Sequence, residues 1–145
     1  MTARTDLLAR VEGASGPDRE LDVDLAVTLL DWCRHETKTY SGYQDDTGFT
    51  CDACGADSWG NCSASGQRLH DAAPKFTASI DAALALMECV LPGAQWSRSQ
   101  HGAVRLWVGP HSEHFLGQGF SNFPALAILA ATLRALIAKE EEHVS

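Results

Sequence analysis

Residues 34 to 75 run for about forty positions with neither helical nor strand periodicity, which restricts the fold more than any other feature of this chain. Connections beyond about 12 to 15 residues are uncommon inside a compact domain unless something fixes them. Tyr40, Tyr43, Gly42, Gly48, Gly55, Gly60 and Gly66 punctuate the stretch, and around Phe49-Thr50 a short strand can lead into Cys51-Asp52-Ala53-Cys54-Gly55. Two cysteines separated by two residues and followed by glycine form a knuckle. The turn points both sulfurs at one spot, and Gly55 accepts the left-handed backbone that follows. A bound metal would tether such a loop, because its binding energy becomes folding energy.

Tetrahedral zinc takes four soft or borderline ligands, and Cys51 with Cys54 gives two. Cys62, eight residues on, is a natural third, while Cys33, His35 and His70 compete for the fourth place. The set Cys33, Cys51, Cys54 and Cys62 would make a closed structural zinc site with no position open to water. The alternative is a vestigial knuckle of reduced thiols. A redox dithiol of the thioredoxin type sits between a strand and a helix, a context absent here. The five cysteines are odd in number, and in a cytosolic chain they read as thiols or metal ligands rather than a disulfide framework.

On either side of this stretch the pattern is regular. Thr5 can cap a short helix carrying Leu7, Leu8 and Val11 and ended by Gly13. Leu21, Leu25, Leu29 and Cys33 recur every four residues after the turn Gly16-Pro17-Asp18, predicting an amphipathic helix from about 18 to 33. After Pro74, Thr77 or Ser79 can cap a helix bearing Ile80, Leu84, Met87 and Leu91 and stopped by Pro92-Gly93. Gln95 to Gln100 and Ala103 to Val108 flank His101-Gly102 as a hairpin, with Val104, Leu106 and Val108 on one face and Arg105 and Trp107 on the other. Glu113 to Phe120 offers a third strand. Pro124 opens the strongest helix, with Leu126, Leu129, Ala130, Leu133 and Ile137 as its buried stripe. The expectation is a single α+β domain over 1–145, with two to four antiparallel strands packed against helices and an insertion loop at about 34–75.

The formal net charge of −8 opposes binding to duplex nucleic acid, whose phosphates need clustered Lys and Arg. No run approaches the roughly 18 to 20 apolar residues of a membrane span, and the start of the chain reads as an amphipathic helix rather than a signal peptide, so a cytoplasmic protein is expected. Arg98, His101, Arg105 and Trp107 gather on the hairpin with Trp96. Arginine beside tryptophan can stack a base and hold a phosphate, or the tryptophans can simply cover a helix. Gly117-Gln118-Gly119-Phe120-Ser121-Asn122 runs into the last helix and could offer backbone N–H groups, with Ser121 and Asn122, to an anion, although the turn-and-cap reading is favoured and Pro124 removes one donor. His111-Ser112-Glu113-His114 lies after Gly109-Pro110 and reads as a solvated loop. Trp59 and Tyr43 could anchor a protein partner. Ser58 and Ser63 lack a nucleophile elbow, and Asp45-Asp46, Glu88 and Glu113 lack a spacing that implies acid–base work, so no catalytic residues are assigned.

Leu8-Ala9-Arg10-Val11-Glu12, Gly16-Pro17-Asp18-Arg19-Glu20-Leu21-Asp22, Phe76-Thr77-Ala78-Ser79-Ile80-Asp81-Ala82-Ala83-Leu84 and Asn122-Phe123-Pro124-Ala125-Leu126-Ala127-Ile128 occur in that order. Together they resemble the phage ABA sandwich, or NinX-like, family of small phage and prophage proteins. The resemblance covers most of residues 5 to 33 and 74 to 140. It implies an α-β-α layered fold, a phage or prophage origin and residence in a bacterial host cytoplasm, with no settled activity and no support for the metal. The functional expectation is a non-catalytic accessory protein of counter-defence type, binding or sequestering a nucleotide-like small molecule as a homo-oligomer through Arg98, Arg105 and Trp107. The alternative is an inhibitor or adaptor that acts on a host or defence protein through the knuckle loop.

Overall fold

The longest helix of the chain begins where sequence chemistry allows little else. Pro124 needs no N–H at a first helical position, and the alanine- and leucine-rich run behind it favours helix throughout. In the computed structural model, which describes residues 3–34, 38–40, 49–57, 73–108 and 114–144, the elements are α1 (Ala3–Gly13), α2 (Arg19–Leu30), β1 (Lys38–Tyr40), β2 (Phe49–Cys51), α3 (Ile80–Val90), β3 (Gln95–Arg98), β4 (Ala103–Val108), β5 (His114–Phe120) and α4 (Pro124–Val144). The chain divides into two compact units, one formed by Met1–Leu25 with Pro74–Ser145 and the other by Ala26–Ala73.

The larger unit is α+β, with a three-stranded antiparallel sheet of order β3-β4-β5 layered against helices in a sandwich-like arrangement. Its sheet follows the expected alternation from Val104 to Leu106, while Val108 at the end of β4 is exposed. Val104 and Leu106 are buried and Arg105 is exposed, and Val104 pairs with Gly119 while Leu106 pairs with Gly117. Those two glycines let α4 lie directly on β5. A Cβ at Gly117 would sit 2.6 Å from the Ala131 carbonyl oxygen, and one at Gly119 would sit 2.6 Å from the Ala131 nitrogen. They are therefore strand residues chosen for close approach, not a phosphate-cradling turn before the helix. α1 and α3 pack on α4 in turn, and the core is made by Val11, Leu86, Met87, Leu91, Leu106, Leu126, Ile128, Leu129 and Leu133.

Capping fixes the helix starts. Asp18 accepts from the backbone N–H groups of Glu20 and Leu21 at 3.0 and 3.2 Å, opening α2. Ser79 accepts from Ala82 N–H at 3.2 Å and opens α3, leaving Thr77 to a different partner, Asp22. α1 begins before Thr5, which lies inside the helix instead of capping it. The hairpin turn comprises Ser99 to Gly102, and Gly102 has φ +81°, which only glycine adopts at little cost. Among the described residues, no helix is long and apolar enough to cross a membrane.

The smaller unit contains the antiparallel pair β1-β2, in which Lys38 faces Cys51 and Thr39 faces Thr50. It also takes in the last turn of α2, from Ala26 to Leu30.

Candidate metal centre

The four-residue recurrence of Leu21, Leu25, Leu29 and Cys33 predicts one continuous helix, but α2 stops at Leu30. Asp31 adopts φ +57°, in the left-handed region that short polar side chains tolerate better than others. Trp32 N–H folds back to the Ala26 carbonyl at 3.2 Å, closing the helix end. Cys33 thus leaves the helical stripe and is delivered to the knuckle.

The knuckle itself is built by β2 and the turn after it. Cys51 N–H donates to the Ala56 carbonyl at 2.8 Å, Gly55 N–H donates to the Cys51 carbonyl at 3.0 Å, and Gly55 has φ +81°. Asp57 then bridges back to Thr50 in antiparallel fashion. The loop is a closed ring of backbone bonds around two cysteines. Cys51 is 1% exposed and Ala56 is fully buried, while Cys54 is half-buried.

The sulfurs of Cys33, Cys51 and Cys54 all lie within 4.8 Å of one another. Cys33 and Cys51 are 3.6 Å apart, far beyond the roughly 2.05 Å of a disulfide. Four thiolates set tetrahedrally at about 2.3 Å from zinc stand about 3.8 Å apart, so the observed spacing fits a shared ion. Burial pushes the Cys54 thiol above its ordinary range; a backbone hydrogen bond at Ala56 opposes that, and Cys51 and Cys33 reinforce it. A cation at the centre reverses this balance by favouring the thiolates. The three cysteines can hold a metal ion. Cys62, His35 and His70, the other ligands considered from spacing, lie outside the described residues, as do Tyr43, Trp59 and His111.

The aromatic-basic hairpin resolves into two faces. Register pairs Ser97 with Arg105 and Gln95 with Trp107, placing these four on the sheet face away from Val104 and Leu106. Arg98 pairs with Val104 and Trp96 with Leu106, so both belong to the other face. The Arg105 guanidinium carbon stands 5.3 Å from the centre of the Phe115 ring, and these two residues with Ser97 and Trp107 line a niche of about 80 Å³. His101, Ser121 and Asn122 come together elsewhere, in an open cleft with Glu12, Phe120 and Phe123. Ser121 Oγ there accepts from Phe123 N–H at 3.1 Å. Phe115 was not singled out by the sequence; its signal is its place opposite Trp107 across a β-bulge.

Comparison with known proteins yields no match to a family model, to a curated protein or to a solved structure.

Proposed function

We propose that this chain is a non-catalytic binding protein whose larger unit recognises a nucleotide-like ligand on the outer sheet face and whose smaller unit is stapled by zinc. The observation that carries the ligand reading is the Arg105 guanidinium over the Phe115 ring, beside Trp107, on strands that contain no carboxylate. A guanidinium offers a planar fork of donors to a phosphate, and the aromatic rings beside it offer surfaces to a base. Arg98 lies on the opposite face and is not part of this site. Phage origin and a counter-defence role complete the proposal, supported by the sequence resemblance alone.

The zinc reading rests on ligand chemistry. Thiolates are soft ligands that suit zinc, and a set of three plus one further ligand closes the coordination shell, which serves architecture rather than turnover. Titration of the protein with nucleoside monophosphates, followed by tryptophan fluorescence, tests the ligand reading. A saturable change in the native chain that disappears in Arg105→Gln is the expected result, and no change at millimolar ligand would rule it out.

A second reading has its own observation. A metal-held knuckle is a rigid surface feature, and Asp52 and Ala53 at its tip are exposed, as an inhibitor or adaptor presenting that loop to a protein partner would require. Affinity capture with the native chain and with Asp52→Lys distinguishes this, since a knuckle-borne contact would be lost in the variant.

A further inference from the structure

We infer that the sheet face carrying Arg105 binds a short single-stranded oligonucleotide, with bases stacked on Phe115 and Phe120 and backbone phosphates drawn to Arg105. This rests on the nucleotide-like ligand proposed above and extends it from one nucleotide to several.

Three observations lead there. The first is where the rings stand. Phe120 pairs with Ala103, Gln118 with Arg105 and Phe115 with Trp107, so the two phenylalanines share one sheet face with Arg105 between them. Both are conspicuously open, 54% exposed at Phe115 and 58% at Phe120. They are five residues apart on β5, about 15 Å at the rise of a strand, farther than one base and its phosphate can bridge.

The second is the shape of the site. Pockets that enclose small molecules occupy several hundred Å³, whereas the niche beside Arg105 holds about 80 Å³. A lone nucleotide would therefore be bound mostly in solvent. An extended strand gains by repeating modest stacking contacts along an open platform, each sequence-tolerant because every base has a π-face.

The third is charge. The chain carries −8 overall, yet from Cys89 to Lys139 its one acidic residue is Glu113; Arg105 stands on this face, while Arg134 is ion-paired with Glu12 at 3.0 Å. The described strands β3, β4 and β5 hold no carboxylate, and of their two arginines Arg105 alone is on this face. A phosphate chain thus meets Arg105 on strands without a carboxylate, and Glu12, which shares a cleft with Phe120, is already paired with Arg134. Duplex DNA would hide its base faces from the rings, so stacking selects a single strand.

Fluorescence anisotropy with a labelled oligothymidylate of about eight nucleotides, the site size typical of such platforms, tests the inference on the full chain, with thymidine monophosphate as competitor. The oligonucleotide is expected to bind, and Phe115→Ser and Phe120→Ser are each expected to weaken it about tenfold or more. Arg105→Gln should lower the slope of log affinity against log salt by about 0.7, which a merely structural change would not do. Ile80→Ser, removing another exposed apolar side chain, on α3, should leave binding unchanged. Thermal unfolding of each variant separates lost contact from lost fold. If the monophosphate binds and the oligonucleotide gains nothing over it, the extended-strand inference fails and the mononucleotide reading stands. If neither binds, both fail. Binding unaffected by both phenylalanine variants overturns the assignment of this face, as does a self-associating native chain that Phe115→Ser turns into a monomer without any oligonucleotide binding.

Discussion

The Thr77 backbone N–H and the Thr77 hydroxyl both donate to Asp22 Oδ1, each at 2.8 Å, joining the start of α2 to the turn that opens α3. Asp22 is fully buried, and Arg19 donates to its other oxygen at 2.7 Å, so both carboxylate oxygens are satisfied. Removal of one partner from a buried network costs the desolvation of what remains.

Asp22→Ala is therefore expected to destabilise the chain by about 2 to 4 kcal/mol, since it strands the Thr77 N–H and leaves the Thr77 hydroxyl with the Asp18 carbonyl at 3.2 Å. Arg19→Ala should cost less, about 1 to 2 kcal/mol, because it removes one of three donors to the buried Asp22 carboxylate and Arg19 itself is half in water. Chemical denaturation of the two variants side by side checks the contrast, and equal losses would contradict it.

The close approach of β5 to α4 gives a steric prediction. Gly119→Ala puts a methyl 2.6 Å from the Ala131 nitrogen and 2.9 Å from the Ala130 Cβ, with rigid helix backbone on the receiving side. We expect a loss of about 1 to 3 kcal/mol or more. Gly16→Ala, with nothing within 4 Å, should be neutral within about 0.5 kcal/mol. A melting temperature measured for each variant is the check.

Asp31 links backbone conformation to the placement of Cys33 in the cysteine cluster. Its φ of +57° is costly for any residue with a branched Cβ, so Asp31→Val should displace Cys33 and weaken metal affinity, whereas Asp31→Gly should preserve affinity and stabilise the turn by about 0.5 to 1 kcal/mol. Competition against a chromogenic zinc chelator reads both.

The raised Cys54 thiol fixes the sign of the pH dependence. Without metal, the group remains protonated through the neutral range, because burial disfavours its anion. A metal binds the thiolate, so uptake releases this proton and apparent affinity rises with pH. The same raised value favours the metal-free fold below the ordinary thiol range and forfeits that contribution as pH climbs through the folded value. Calorimetry of zinc binding in buffers of different ionisation enthalpy measures the proton release, and a pH-independent affinity would contradict it.

Much of the larger unit was legible because its signals are local. Ser79 caps α3, Val104 and Leu106 alternate with Arg105, and Pro124 opens α4. What misled were signals that depend on distant neighbours. Cys33 continues a four-residue stripe, so only the left-handed Asp31 reveals that it leaves the helix. Arg98 and Arg105 lie close in sequence, but the pairing of Ser97 with Arg105 puts them on opposite faces. Gly117 and Gly119 look like a turn because periodicity cannot show a helix packed against them from 8 to 18 residues further along the chain. The knuckle was readable from Cys51, Cys54 and Gly55, since its geometry is written within five residues.

Whether Cys33, Cys51 and Cys54 hold zinc is decided by inductively coupled plasma mass spectrometry on the full chain, purified under reducing conditions without added metal. About one zinc per chain is expected, with a sharp fall in Cys33→Ser and in Cys51→Ser. A native chain free of metal, whose thiols react with maleimide equally fast with and without added zinc, would contradict it.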